Sequence, residues 1–558
     1  MKQTNLFSMS QPHTLRHPYE YNPKYKKRVA YFSMEFAIHP ALKIYSGGLG
    51  FLAGSHMRSA YDTKQNLFGI GILWKYGYYD QTRNSDNTMN VLFAEKFFNF
   101  LEDPGIIVPV YVNKHQIYVK AYYLRPEVFG TVPMYLLTTD IAENDHLAQT
   151  ITHKLYDNNT YTRIAQSIVL GIGGAKVVDA LGGADIYHMN EGHALPLAFH
   201  LYTQYGREVE EVKQRVRFTT HTPEKAGNEE HPIQMLDNMG FFSSIPLEEV
   251  RKITMVEEEM FSHTLVGLRL SKRSNGVSQL HGEVSRDMWA DQQGVCPIIA
   301  ITNAQNKKYW VDGILDKALT DGDDARLFDR KMHLKKRLLN YVGDQTGKIF
   351  DPEVLTIVWA RRFAEYKRPD LIKRDIMRFN RLISNQDRPV QIIWAGKPYP
   401  LDANAVSVFN HLVTSNRKVK NCAVLVGYEL ALSGLLKKGA DIWLNTPRRP
   451  REASGTSGMT AAMNGAINFS ISDGWVIEYA RHGENAYIIP PTDPTMPIDQ
   501  QDNEDFHSMM YILENEILPT YYNQPLRWKQ IVKNSMKDVY PDFDSDRMVD
   551  EYYERLYI

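Results

Sequence analysis

Two halves of this chain repeat one pattern: a short β-branched or aromatic run, a turn, then apolar residues at helical spacing. In the first half, residues 28–33 read as a strand, Tyr45-Ser46-Gly47-Gly48-Leu49-Gly50 as a glycine turn and 51–61 as a helix. Further β-like runs lie at 68–73, 116–123, 133–138 and 216–220, with a helical stretch at 162–181. The alternation restarts after residue 350. Strand-like runs at 354–359, 390–394, 422–426 and 441–444 interleave with helical 368–382, 405–414, 431–437 and 458–464. Strands alternating with helices predict parallel sheets covered on both faces.

The predicted fold class is therefore α/β, with two domains and a cleft between them. The expected division is an arm over 1–27, a first domain over 28–295 and a second over 296–530. A helical segment, 531–558, is expected to pack back across. A chain of 558 residues suits two large domains.

Composition removes several classes of function. Lys and Arg number 64 against 65 Asp and Glu. That balance argues against nucleic-acid binding through a general basic field. Two cysteines, Cys296 and Cys422, make neither a disulfide framework nor a zinc site, and no metal is expected. No leader is read at the N-terminus and no apolar run approaches about 18 residues, so a cytoplasmic, membrane-free protein is expected.

Three segments carry chemistry. Glycines at 47, 48 and 50, between a strand and a helix, bring backbone N–H groups and a helix N-terminus to an anion; the same glycines serve equally as a tight turn. Arg361-Arg362-Phe363-Ala364-Glu365-Tyr366-Lys367-Arg368 puts four cations at a strand end, which suits a phosphate or diphosphate. Pro450-Arg451-Glu452-Ala453-Ser454-Gly455-Thr456-Ser457-Gly458-Met459-Thr460 offers close backbone approach, free N–H donors and one carboxylate for sugar hydroxyls. His221 and His193 each follow a β-like run; lone histidines are more often structural than catalytic, and two at such positions in one domain raise the odds of a site role modestly.

Together these segments resemble the α-glucan (glycogen, starch, maltodextrin) phosphorylases, in particular the branch with a shortened N-terminal region. "SNGVSQLHGEVSRDMW", "RRFAEYKR" and "PREASGTSGM" carry the resemblance, which runs from about residue 28 to 490. It implies a GT-B glycosyltransferase fold, two Rossmann-like domains around an active-site cleft, and retaining chemistry on α-1,4-glucans or maltooligosaccharides. Arg362 and Lys367 match the pair that grips the substrate phosphate, and Gly48 the glycine whose N–H joins it. His221 matches the histidine beside the glucosyl ring; Asn303, Glu452, Ser454 and Gly455 match further glucosyl contacts. Tyr366 and His193 are expected among the substrate contacts. Tyr428, Trp310 and Thr456 match residues around the family's pyridoxal phosphate. Asp157 and Asn158 match the loop that gates the acceptor site.

One departure dominates. The family carries a lysine after "SGM" that forms an imine with pyridoxal phosphate, and here that position is Thr460. A hydroxyl forms no imine, so no covalent cofactor is expected, and pyridoxal phosphate could bind only non-covalently. Glu429 also stands where many relatives have a basic residue, and Asn303-Ala304-Gln305-Asn306 departs from the family's pattern. Retaining transferases that use sugar nucleotides often place one carboxylate on the donor sugar and a second, eight residues on, on the ribose. Glu452 and Thr460 have that spacing. A short Thr460 and a small Ala304 are expected to leave room there for ribose and base. The expected function is therefore a pyridoxal-independent α-glucosyltransferase with a nucleotide-sugar donor. The alternatives are a phosphorylase with non-covalent pyridoxal phosphate, using phosphate, and a glucan-binding pseudoenzyme. A homodimer is left open.

Overall fold

The computed structural model describes residues 13–558; part of the expected arm, 1–12, lies outside them. Two sheets organise the chain. The first has nine strands in the order Ile298–Ala300, Arg273–Gly276, Val216–Thr219, Ile186–Asn190, Val29–Phe32, Leu67–Ile72, Met134–Thr138, His115–Leu124 and Ile107–Val112. Pairing is parallel from Ile298–Ala300 through Met134–Thr138; the last two strands run antiparallel. Because Ile298–Ala300 pairs with Arg273–Gly276, the first sheet extends past the expected boundary at 295 to residue 300.

The second sheet has six strands, Cys422–Leu425, Val390–Ala395, Leu355–Ala360, Ile442–Asn445, Ile467–Ile471 and Ala486–Ile489, all parallel. Leu355–Ala360 and Val390–Ala395 are buried at every position. A continuous apolar run is what a strand covered on both faces requires.

The predicted elements recur with shifts of up to three residues, with one exception. Instead of a helix over 368–382, the chain makes a 3-10 turn at Glu365–Lys367, a second at Leu371–Lys373, and a helix only at Ile376–Ile383. Arg368 is left-handed at φ 46°. Pro369 follows it, and the residue before a proline is barred from the right-handed helix by its ring.

Each half lends a segment to the other. The hairpin Asp80–Arg83 and Met89–Leu92 belongs to the first half by sequence, yet Tyr79 and Met89 are buried in the second core. Gln81 donates to the Gly396 carbonyl at 2.9 Å and accepts from Gly427 N–H at 3.0 Å. In return the chain's last turns, after helices Pro525–Phe543 and Ser545–Glu551, bury Tyr552, Leu556 and Tyr557 in the first core. Arg217 fixes them, donating to the carbonyls of Leu556 at 2.6 Å and Ile558 at 2.8 Å. No described helix is long and apolar enough to cross a membrane.

Candidate active site

The C-terminal ends of the central strands in both sheets face one cleft of about 350 Å³. The ends of parallel strands are where α/β sheets collect ligand-binding loops. From the first sheet, the turn after Val29–Phe32 brings Glu35, and the helix Gly48–Asp62 starts at the wall. His221 follows Val216–Thr219, and Asn303 follows Ile298–Ala300. From the second sheet come Arg361, Arg362 and Lys367 after Leu355–Ala360, Lys397 after Val390–Ala395, Tyr428 after Cys422–Leu425, and 452–457 after Ile442–Asn445.

The four cations of the basic motif have three fates. Arg361 and Lys367 both face Glu452, at 2.8 Å and 3.5 Å. Burial alone would raise the Glu452 carboxyl, but these two cations outweigh it and hold it below the ordinary value. Arg362 opens to the cleft; burial works against its charge, and Tyr366, Tyr78 and Tyr156 more than restore it. Arg368 turns away from the cleft to Asp502 at 2.8 Å and Asp505 at 2.7 Å, so it holds the fold rather than a ligand.

The glycine turn is already half occupied. Glu35 accepts from Ser46 N–H at 2.6 Å, Gly47 N–H at 3.1 Å and the Tyr156 hydroxyl at 2.7 Å. Gly48 N–H is not among its donors. Glu35 escaped the sequence reading; a carboxylate three residues past a central strand and just ahead of a glycine turn was the available signal.

His221 is buried, and burial, then the nearby His281 and His193, lowers its pKa to about 3, so it is neutral. Its Nε2 donates to Asn190 Oδ1 at 2.7 Å, and its backbone N–H donates to Glu191 at 2.7 Å. That leaves Nδ1 as an acceptor. Glu191 sits at φ 72°, a strained conformation for a non-glycine residue. Burial raises its carboxyl to about 7. The Glu452–Gly455 loop is set by the turn after Ile467–Ile471: Asp473 accepts from Glu452 N–H at 2.9 Å, and Trp475 N–H donates to the Ser454 carbonyl at 3.0 Å.

Four buried polar atoms of cleft residues have no protein partner: Arg361 Nε and Nη1, Asn303 Oδ1 and Ser454 Oγ. Buried polar groups are rarely left unpaired, so these four atoms are free to pair with water or with a polar ligand in the cleft.

A second cavity of about 560 Å³ adjoins the cleft and shares Ser46, Tyr156, Glu191 and Arg362 with it. His193 lines this one. Asp157 and Asn158 line a third, of about 300 Å³, with Tyr399 and Leu401. Tyr366 lies behind the cations, its ring 5.2 Å from Lys367 Nζ.

Residues 313–490 match the family model described as carbohydrate phosphorylase. Maltodextrin phosphorylase of Thermococcus litoralis is 34% identical over 96% of this chain and 71% of its own length. The chain belongs to the carbohydrate phosphorylase family. Glycogen phosphorylase of Aquifex aeolicus is 30% identical over 99% of the chain and 89% of its own length. An uncharacterized protein of Methanocaldococcus jannaschii is 46% identical over 95% of the chain and 100% of its own length.

Against that family background, two expected openings are closed. Thr460 is fully buried in the helix Thr456–Met463, and its hydroxyl donates to the Ser457 carbonyl at 3.1 Å. Ala304 is fully buried as well, and neither residue lines the cleft. Trp310 is also absent from the cleft wall; the Lys437 amine lies 3.8 Å from its ring centre. The same amine lies 5.2 Å from the Phe51 ring centre. Glu429, in the family's basic position, pairs with Lys397 at 2.9 Å and Lys43 at 3.0 Å.

Proposed function

We propose that the protein is a retaining α-glucosyltransferase acting on α-1,4-glucans in a GT-B-type frame, without pyridoxal phosphate, and that its donor is a nucleoside-diphosphate glucose. The observation that carries this reading is the grouping of Arg361, Arg362, Lys367 and Gly48 around the cleft that also holds Glu452 and His221, with threonine in place of the imine-forming lysine. The residues present do not fit the cofactor: position 460 offers no amine, its side chain is buried, and the Trp310 face is covered.

In this reading Glu452, Ser454 and Asn303 hold the glucosyl hydroxyls, with neutral His221 accepting from one of them. The bond from the anomeric carbon to the donor phosphate oxygen breaks, and Arg362, Lys367 and Gly48 N–H stabilise the departing anion. The acceptor hydroxyl attacks from the same face and gives its proton to that oxygen, which accounts for retention without a carboxylate nucleophile. The larger adjoining cavity suits the glucan chain.

A second reading has glucose-1-phosphate as donor, or phosphate as attacking group. It is favoured by the burial of Thr460 and Ala304, which leaves no opening for a ribose on that side. The two part in one assay: transfer to maltooligosaccharide with each donor supplied alone. Extension only from glucose-1-phosphate would reject the nucleotide donor. Stimulation by added pyridoxal phosphate would reject cofactor independence.

A further inference from the structure

Five lysines of the described chain are buried: Lys331, Lys335, Lys367, Lys397 and Lys437. Four have oxygen partners. Lys331 donates to the carbonyls of Lys438 and Asn464, both at 2.9 Å, Lys335 to Asp441 at 2.6 Å, Lys367 to Glu452 at 3.5 Å and Lys397 to Glu429 at 2.9 Å. Lys437 is the exception. It is 1% exposed in the helix Leu430–Gly439. Its amine lies between two rings, 3.8 Å from the centre of Trp310 and 5.2 Å from that of Phe51. Lysines are rarely enclosed without an oxygen partner, and this side chain lies against two aromatic faces instead, so its retention asks for a reason.

Its surroundings supply one. The helix bearing Lys437 packs on Thr456–Met463, which bears Thr460. That helix in turn packs on Lys307–Trp310 and on Gly48–Asp62, which carries Phe51. Lys437 therefore lies where the helices of Thr460, Trp310 and Phe51 converge. Phe51 stands between it and the cleft, which Phe51 also lines.

We propose that Lys437 excludes pyridoxal phosphate from this protein: its side chain fills, over Trp310, the space a cofactor ring would need, in exchange for the side chain shortened at Thr460. The inference rests on the cofactor-independent reading and gives it a structural cause. Burial holds the amine well below the ordinary lysine value, which favours the uncharged form against a wall of aromatic rings.

The test uses the full chain as wild type, Thr460→Lys, Thr460→Lys with Lys437→Val, and Lys437→Ala. Each is mixed with pyridoxal phosphate, scanned for imine absorbance, reduced with borohydride and mapped by peptide mass. Wild type and Thr460→Lys are expected to carry no pyridoxyl group, and the double variant one, at position 460. Lys437→Ala needs no new lysine; it is expected to bind pyridoxal phosphate at least about tenfold more tightly than wild type by equilibrium dialysis, a gain of about 1.4 kcal/mol. An imine in Thr460→Lys alone, or unchanged affinity in Lys437→Ala, overturns the exclusion while leaving the cofactor-independent reading standing. So does a double variant that melts like wild type yet takes up no pyridoxal. Pyridoxyl on Lys437 of the wild type overturns both, because the residue would then be an anchor.

Discussion

Arg361 Nη2 stands 2.8 Å from Glu452 Oε2, and Lys367 Nζ reaches the same oxygen at 3.5 Å. One buried carboxylate thus ties the cation loop to the loop that precedes Thr456–Met463. Removing one partner of a buried pair leaves the other charge uncompensated, at about 3–5 kcal/mol. Glu452→Gln keeps the shape and removes the charge, so two cations are left facing an amide. The variant is expected to melt well below wild type, and inorganic phosphate is expected to recover more of the loss than it adds to wild type. Equal shifts with phosphate in both proteins would show that these cations do not form an anion site.

Arg362 is the cation of that motif without a carboxylate partner, and it is open to the cleft. Arg362→Ala is expected to cut turnover by about 10²–10³, the usual cost of losing one charged donor at a leaving anion. Lys367→Ala is expected to do the same, with an added loss of stability from its tie to Glu452. Glucan affinity, measured without donor, is expected to stay near wild type. Unchanged turnover in Arg362→Ala would make it a surface charge.

Acid should unfold this protein through histidines before carboxylates. Burial lowers His56 and His221 to about 3, and His263 and His281 to about 4, from the ordinary 6.5. Between those lowered values and 6.5 the unfolded chain binds protons that the folded chain refuses. Their contribution is therefore whole above 6.5 and is lost as pH falls. Each adds a slope of about 1.4 kcal/mol per pH unit within its window. Urea midpoints are expected to drop from about pH 7 to about pH 5. Glu191 and Asp473, raised to about 7, oppose the four histidines over the same window and reduce the net slope, and midpoints that rise as pH falls would mean that these rings are charged in the native state.

The central strands of the second sheet were legible because they are continuous apolar runs, whereas polar Arg273–Gly276 and the outer strands Ile467–Ile471 and Ala486–Ile489 were not read as strands. Leu355–Ala360 and Val390–Ala395 were found to within a residue for that reason. The cation motif was legible as chemistry, but not how it divides. Only the structure shows that Arg368, in sequence beside Lys367, turns to Asp502 and Asp505 more than a hundred positions away. Glu35 was missed because its role depends on Ser46, Gly47 and Tyr156 meeting it in space. The closed space around Thr460 was misread because deleting atoms from one side chain says nothing of what the next helix sends in. Lys437 looks in sequence like one of two lysines at a helix end; its burial against Trp310 is purely tertiary.

Gly396 offers the sharpest separation of site from scaffold. It ends the strand Val390–Ala395 at φ 153°, and a Cβ there would stand 1.9 Å from the Arg361 carbonyl oxygen and 2.9 Å from the Phe363 ring. The obstacle is backbone, so it cannot swing aside as a side chain would. Gly396→Ala must therefore push residues 361–363 away from the strand end, carrying Arg361 and Arg362 off the anion. Gly347 is the control. It caps the helix Asp324–Thr346 in the left-handed region at φ 69°, and a Cβ added there would meet nothing within 4 Å. Alanine at either site carries backbone strain of about 1–2 kcal/mol; only at 396 does it also meet the cation loop. Gly347→Ala is expected to lose a few degrees of melting temperature and keep its turnover. Gly396→Ala is expected to lose at least about tenfold in turnover, equivalent to displacing the anion contacts by about 1.4 kcal/mol or more, while remaining folded by circular dichroism. Equal turnover in the two variants would show that the position of the 361–363 loop does not limit the reaction.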